Sequence, residues 1–487
     1  FSRGRGELVS SATSGPARSQ LHSDQIPRLA TMADGAASIS TSGYRGENRI
    51  DALHEDLLGE IITRLPATDA AGTASISPRW RHLWRSTPLV LRDCKLPEAR
   101  RAAIVARVLA EHPGPFRTIS LIGSSFASLD LELADWPRLL AAKGTQKLAL
   151  INMPTGAQPI VSRVPTDILR CGSLQELSLA FLTLPEDLPR VAADGFPNLR
   201  ELCLVRTATS NQDLEYLLAA SPVLQTLMFI CDLTPKRVHV RSQSIRCVLA
   251  GLSGVEEVTV VDAPLLERLF LFQPPWGGAD CVRVKIACAL NLRMLGYLDP
   301  RIHRLQIGDN IIQSDTIVSP GTVVPGVRIL ALKVNFGVLS EVKMLASFLR
   351  CFPNVDTLHI QSVLHDPFAN ESSWENNAKF WQDVSPVKCL RSHVKSMVIH
   401  KFRGDQNEFE FLKFLAMNAQ ELQSLLVVRP DENFALVDKV DEIIDKLGCP
   451  LFRAWTSKVL LVSPKVYTVW GINKVNDLTT VDDPFAG

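Results

Sequence analysis

The feature that most constrains this chain is a short unit that recurs along most of its length. An apolar residue is followed by two others, a second apolar residue, one other and a third apolar residue. It reads Phe116/Ile119/Leu121, Leu174/Leu177/Leu179, Leu199/Leu202/Leu204 and Leu224/Leu227/Phe229. It continues as Val255/Val258/Val260, Leu266/Leu269/Leu271, Ile302/Leu305/Ile307, Val327/Leu330/Leu332 and Val355/Leu358/Ile360. Val394/Met397/Ile399 and Leu422/Leu425/Val427 carry it toward the C-terminus, and Thr145 to Leu150 is a weaker copy. From Leu174 to Leu199, and again from Leu199 to Leu224, the step is 25 residues. The end of each unit alternates as a strand does, while its leading apolar residue fills a core that one unit cannot close alone. Stacked units follow, their strands parallel and joined by a helix or an irregular return. Ser210-Asn211-Gln212-Asp213 before Leu214, Leu217 and Leu218 reads as the capped start of one returning helix, and Pro222 marks its end. Phe196-Pro197-Asn198, Ala263-Pro264 and Phe352-Pro353-Asn354 punctuate other units. The spacing is uneven, Val255 and Leu266 being 11 residues apart. An ordinary α/β domain with a parallel sheet is therefore the alternative.

A different pattern precedes the repeats. Leu57, Leu58, Ile61, Ile62 and Leu65 fall at steps of 1, 3, 1 and 3, an apolar helical stripe. Asp51 can cap this helix, and Leu65-Pro66 ends it, because a residue before proline is pushed out of the α region. Thr68 can cap a second short helix. Ser77-Pro78 supplies a cap and a first-turn proline for a third, which carries Trp80, Leu83 and Trp84. Three helices this short cannot bury two tryptophans and five branched aliphatics among themselves, so part of that surface should face something else.

The stretch from Ile50 to Pro88 resembles an F-box, through Leu53-His54-Glu55-Asp56-Leu57-Leu58, Ile61-Ile62-Thr63-Arg64-Leu65-Pro66 and Ser77-Pro78-Arg79-Trp80-Arg81-His82-Leu83-Trp84. His54 stands where the family usually has proline, and Gly72 interrupts the second helix. The 25-residue period is in the range of leucine-rich repeats. A second stretch, from Cys389 through Phe402-Arg403-Gly404 to Val427, reads as strand, turn, apolar helix and strand, one more repeat-like unit in a capping role. It resembles the FBD domain that follows F-box and leucine-rich segments in a large group of plant proteins. Together these mark a resemblance to the plant F-box/FBD/LRR-repeat family. The resemblance implies docking on a Skp-type adaptor, and through it a cullin. Ile50, Leu53, Leu57, Leu58, Ile61, Leu65, Pro66, Ile76, Trp80 and Trp84 form the core and docking surface of that module, and the sequence does not say which point outward.

The remaining readings are mostly exclusions. Lysine and arginine number 52 against 51 acids, so net charge gives no reason to invoke nucleic acid or an anionic membrane. Ten cysteines carry no Cys-x-x-Cys pair, and Cys203 and Cys288 lie in apolar runs, which reads as buried reduced thiols. No apolar run approaches the ~18 residues of a membrane span. No phosphate loop, dinucleotide fingerprint, zinc-protease helix or nucleophile elbow is found. No catalytic residue, cofactor or metal site is expected. His393 and His400 read as rim residues flanking one strand; Arg391, Lys395, Lys401 and Arg403 read as a solvated basic face. Asn370-Glu371-Ser372 matches a glycosylation sequon with no secretory signal beside it. Met32 is a plausible start, so residues 1–31 read as an upstream extension rather than a transit peptide.

The expected fold class is α/β. Residues 1–48 are an unstructured segment, 49–93 a three-helix F-box, 94–385 an irregular leucine-rich-repeat solenoid of parallel strands with helical returns, 386–430 the FBD strand-helix-strand unit, and 431–487 a helix around Val440 to Leu447 and a tail. The expected function is a cytoplasmic or nuclear substrate adaptor of a Skp-cullin-F-box ubiquitin ligase, with an unidentified protein target. The alternative is a stand-alone leucine-rich-repeat scaffold with the helices as its cap. An adaptor would keep a folded solenoid without residues 49–93; a capped scaffold would not.

Overall fold

The structure is a computed structural model. It describes residues 50–429 except 51, 95, 98–99, 123–135, 137, 153–162, 165–167, 169–170, 185–194, 232–233, 253, 273–280, 315 and 364–373, together with the strand Val459–Val462. The expectations for residues 1–48, for the helix near Val440 and for the sequon at Asn370 lie outside the described residues.

Fourteen strands lie side by side in one sheet. In order they are Leu89–Arg92 (β1), Phe116–Ile122 (β2), Lys147–Ile151, Glu176–Ala180, Glu201–Val205, Thr226–Cys231, Cys247–Leu252, Arg268–Phe272, Met294–Leu298, Ile329–Val334, Thr357–Ser362, Ser396–His400, Ser424–Val428 and Val459–Val462. Every neighbouring pair is parallel. The register follows the repeat. Leu148, Leu177, Leu202, Leu227, Val248, Leu269, Leu295, Leu330, Leu358, Met397 and Leu425 are partners on successive strands, and all are buried. Stacking like residues in one row closes a core that each unit leaves open. That core is one continuous cluster from Leu58 to Val427.

The uneven spacing has a structural cause. Val255/Val258/Val260 and Ile302/Leu305/Ile307 do not belong to this sheet. They lie on a second one, in which Arg237–Arg241, Glu257–Asp262, Val282–Ile286 and His303–Ile307 are parallel and Asn310–Ile311 adds an antiparallel edge. Here the return between main-sheet strands is itself a strand, where a helix was expected. The sequence favours it: Val238, Val240, Val258, Val260, Val282 and Val284 are β-branched residues at period two, and all are buried. Two main-sheet units escaped the pattern. In Ile245/Val248/Ala250 the third position is alanine. In Leu292/Leu295/Leu298 a register irregularity between Leu295 and Leu298 stretches the spacing to three and three.

Among the described residues, helical returns are Arg101–Glu111, Asn211–Ala219, Leu339–Cys351, Trp374–Asp383, Lys388–Ser392 and Gln406–Asn418. Asn211–Ala219 starts with a capping box between Ser210 and Asp213, as its sequence requires. The Phe-Pro-Asn turns stitch one unit to the previous one. Asn198 Nδ2 donates to the carbonyl of Gly172 at 2.8 Å and Asn354 Nδ2 to that of Pro325 at 2.9 Å. In the FBD-like unit Gly404 has φ +78°, and the turn wraps the Glu408 carboxylate, whose Oε2 accepts N–H bonds from Arg403 (3.0 Å), Gly404 (2.8 Å) and Asp405 (3.0 Å). Burial nevertheless pushes the Glu408 carboxyl upward. This unit is not the outermost one, because Ser424–Val428 pairs with Val459–Val462. Among the described residues, no helix is long and apolar enough to cross a membrane.

Candidate docking face and its seam with the array

The N-terminal helices are short and closely tied. Glu55–Arg64 (α1) starts at His54, not Asp51: His54 is extended, and its Nδ1 accepts the Asp56 N–H at 3.4 Å. Glu55 and Asp56 then place acid in the positive first turn. Leu65, extended at ψ 144° before Pro66, ends the helix as expected. Ala67–Thr73 (α2) starts from Pro66, and Thr68 lies inside it rather than at its cap, because the extended proline already turns the chain and its carbonyl takes the Ala70 N–H at 2.9 Å. Pro78–Ser86 (α3) begins after Ser77, which is extended but makes no side-chain cap bond. Arg79 closes the bundle. Its Nη2 donates to the Leu53 carbonyl at 2.7 Å, and its Nε lies 3.6 Å from Glu55 Oε1.

The predicted set divides cleanly. Leu58 and Trp80 point inward with Ile62 and Leu83, two core residues outside that set. Ile50, Leu57, Ile61 and Ile76 stay 40–55% exposed. Leu53, Leu65 and Trp84 are half-buried against the core, and Pro66 bridges to Val90. Leu57/Ile61 and Leu58/Ile62 are both i, i+4 pairs, one residue out of phase. One helix therefore carries an apolar stripe wide enough to serve two surfaces. The signal for Ile62 was that spacing from Leu58.

Behind the outward residues runs a seam with the repeat array. α1 and α2 pack on β1, which lies within the stretch expected to belong to the helical module yet opens the fourteen-stranded sheet. Only Thr87 and Pro88 separate α3 from β1. The Trp84 ring lies 4.5 Å from His112, which lies 5.1 Å from Phe116. A Cβ at Gly114 would strike the carbonyl oxygen of Arg85. Burial, with Lys143 nearby, pushes His112 down to about 4, so it is neutral.

The sheet face away from the main core carries the other candidate surface. Met228, Cys247, Leu249, Phe270, Met294 and Ala331 form a second apolar cluster on it, with Cys203 and Tyr297 at its margin. Burial pushes the Cys203 and Cys247 thiols up to about 11 and about 12, which removes them as nucleophiles. Cys203 and Cys288 are only partly buried, contrary to their apolar surroundings in sequence. His400 is buried, not at the rim, and its ring stacks 5.9 Å from that of His359, because the alternation of its strand turns both onto this face. Among the described residues no group of three or more His, Cys, Asp and Glu side chains could hold a metal ion.

A helical module showing apolar side chains to solvent, seated on a parallel-strand repeat array, defines a helix-fronted repeat protein. The F-box domain family model matches residues 50–92, the LRR repeats of FBD-associated F-box protein At5g56370 match 133–360, and the FBD model matches 382–427. The chain thus carries F-box, LRR and FBD segments in that order, and its relatives are F-box/FBD/LRR-repeat proteins. Among its relatives in Arabidopsis thaliana, F-box/FBD/LRR-repeat protein At5g56420 is 22% identical over 83% of this chain and 96% of its own. F-box/LRR-repeat protein 13 is 25% identical over 86% and 97%, and FBD-associated F-box protein At5g60610 is 24% identical over 77% and 98%.

Proposed function

We propose that this chain is a non-catalytic, intracellular adaptor of a Skp-cullin-F-box type ubiquitin ligase. Its helical module docks on a Skp-type adaptor and its repeat array holds a protein target. The carrying observation is the exposure of Ile50, Leu57, Ile61 and Ile76 on a module whose other large apolar residues are buried or half-buried. A helix face of this kind suits a hydrophobic groove on a partner. Catalysis then lies in other subunits, and this chain contributes proximity, holding a target lysine near a charged carrier enzyme.

The second reading, a stand-alone scaffold capped by the helices, draws support from the continuous core and from β1. The two readings share the seam and differ over the outer face, because a cap has no use for Leu57 and Ile61 at solvent. Deleting residues 49–93 does not separate them, since it removes β1 and uncovers Phe116 under either. A point substitution does. Leu57→Asp in the full chain leaves folding intact and abolishes co-purification with a recombinant Skp-type adaptor; equal retention of wild type and variant would sink the adaptor reading.

A further inference from the structure

The face of the main sheet turned away from the main core, its inner face, is buried without an evident cover. Its apolar cluster, core and margin alike, is drawn from the main-sheet strands themselves, and among the described residues no helix or second-sheet side chain joins it. Those elements pack into the main core on the other face. Neighbours on an open sheet shade a side chain's flanks and leave its tip to water. Yet Leu249 and Phe270 are each 3% exposed, and His359 is 1% exposed. They belong to one continuous row. Met228 pairs with Leu249, Leu249 with Phe270 and Phe270 with Gly296, whose Cβ would strike Ala331. Ala331 pairs with His359, and His359 with Val398. Every member of the row is buried.

The burial follows a track and not the whole face. Ile329, Lys333, Thr357, Gln361 and Ser396, nearer the strand ends, are only half-buried. In Ser424–Val428 exposure falls along the strand: Ser424 is exposed, Leu426 half-buried and Val428 4% exposed. At the far end Cys203 and Val205, one strand beyond Met228, are half-buried again. The track therefore enters beside Val428, at the C-terminal ends of the strands, and crosses eight neighbouring strands to Thr226–Cys231. Seven spacings of ~4.8 Å make it about 34 Å long. A return loop, tied at both ends to its own unit, reaches its neighbours and does not cross eight strands.

Val462 points to the source of the cover. It is the register partner of Val428, so the chain leaves Val459–Val462 beside the place where the track begins. Pro464 follows within two residues and cannot donate to a ladder. Pro464 to Val475 then carries Val466, Tyr467, Val469, Trp470, Ile472 and Val475, β-branched and aromatic residues that suit an extended chain. These twelve residues at ~3.3 Å each reach about 40 Å, enough for the track. Residues 1–49 offer Ser, Gly, Ala and Arg without a comparable apolar run.

We propose that residues 464–475 lie across the inner face as an extended, detachable strap, so that the chain's own segment occupies this face until a partner displaces it. The strap itself does not depend on adaptor docking. Joined to the reading of the array as the holder of a protein target, it makes residues 464–475 the target's competitor for the inner face.

The test uses the full chain. A photo-crosslinking phenylalanine analogue placed at position 470 should form adducts with peptides containing Phe270, Ala331 or His359, and one placed at position 39 should not. Adducts from position 470 confined to the outer helices, or no adducts, would overturn the proposal, as would adducts on this face from position 39 alone. Thiol labelling gives a second readout. Cys247 belongs to the inner-face cluster, while Cys351 and Cys389 are buried in the main core. In Val469→Asp/Trp470→Asp, Cys247 should label about tenfold faster, with Cys351 and Cys389 unchanged. An unchanged Cys247 would sink the strap. An equal gain at all three thiols would show a segment that holds the fold together, which equally ends the idea of a detachable cover. Neither readout involves the Skp-type adaptor, so the adaptor reading survives a failure of the strap.

Discussion

The helical module and the repeat array solve the same burial problem in opposite ways. A repeat unit exposes its apolar row only until the next unit arrives, so Leu148, Leu177 and Leu202 end buried by copies of themselves. The module has no copy. It buries Leu58, Ile62, Trp80 and Leu83 against its own helices and β1, and leaves Ile50, Leu57, Ile61 and Ile76 at solvent. The stacked apolar row of the array is satisfied within the chain, whereas the module, far smaller, keeps four large apolar side chains exposed, a density that suits a second molecule.

The sharpest way to break this comparison is to substitute on each side of α1 and α3. Trp80→Ala removes a side chain only 3% exposed and should cost about 3–5 kcal/mol of stability, seen as a lowered denaturant midpoint. Leu57→Asp should change stability by less than about 0.5 kcal/mol, because it starts half in water, while weakening adaptor binding by about 2 kcal/mol or more. If Leu57→Asp destabilised as much as Trp80→Ala, the outer face would be core, and the contrast between module and array would fail.

Much of this contrast was legible in the sequence, and the parts that were not have physical causes. The row from Leu174 to Leu224 could be read because one period and one residue type recur. The second sheet could not, because Val255/Val258/Val260 obeys the same apolar spacing as the main-sheet units and pattern alone does not say which sheet a strand joins. Which of Leu57 and Leu58 faces the partner was equally hidden: adjacent residues on a wide stripe differ by about 100° of helix, and only the position of β1 decides between them. His400 was misplaced for a related reason. A strand in the middle of an array has both faces covered, so a polar residue on it is buried even where alternation alone suggests a rim.

The seam offers a smaller test through pH. Burial holds His112 at about 4 against an ordinary 6.5, so the unfolded chain takes up the proton first. The contribution of neutral His112 is therefore fully present above pH 6.5 and is lost as pH falls toward 4, to the extent of roughly 3 kcal/mol. His303, pushed to about 3, acts in the same sense. Glu341, raised to about 7, acts oppositely, its effect being lost as pH rises from 4.5 through 7. Comparing wild type with His112→Phe isolates the seam, since phenylalanine keeps the stack between Trp84 and Phe116 and the other two groups cancel in the difference. The wild type should lose more stability than the variant between pH 7 and pH 5; parallel curves would show that the seam is not closed around a neutral imidazole.

The smallest effect separates the module's fold from its docking. Gly72 lies in the last turn of α2, exposed, with no atom within 4 Å of where a Cβ would stand. Gly72→Ala should therefore stabilise by about 0.5–1 kcal/mol, through the lower backbone entropy of the unfolded chain alone, since the added methyl group touches no neighbour. Adaptor affinity should stay unchanged while the denaturant midpoint rises, the reverse of Leu57→Asp. If affinity rose with stability, the free module would be partly unfolded before it docks, and the exposed apolar side chains would belong to an incomplete fold and not to a finished face awaiting its partner.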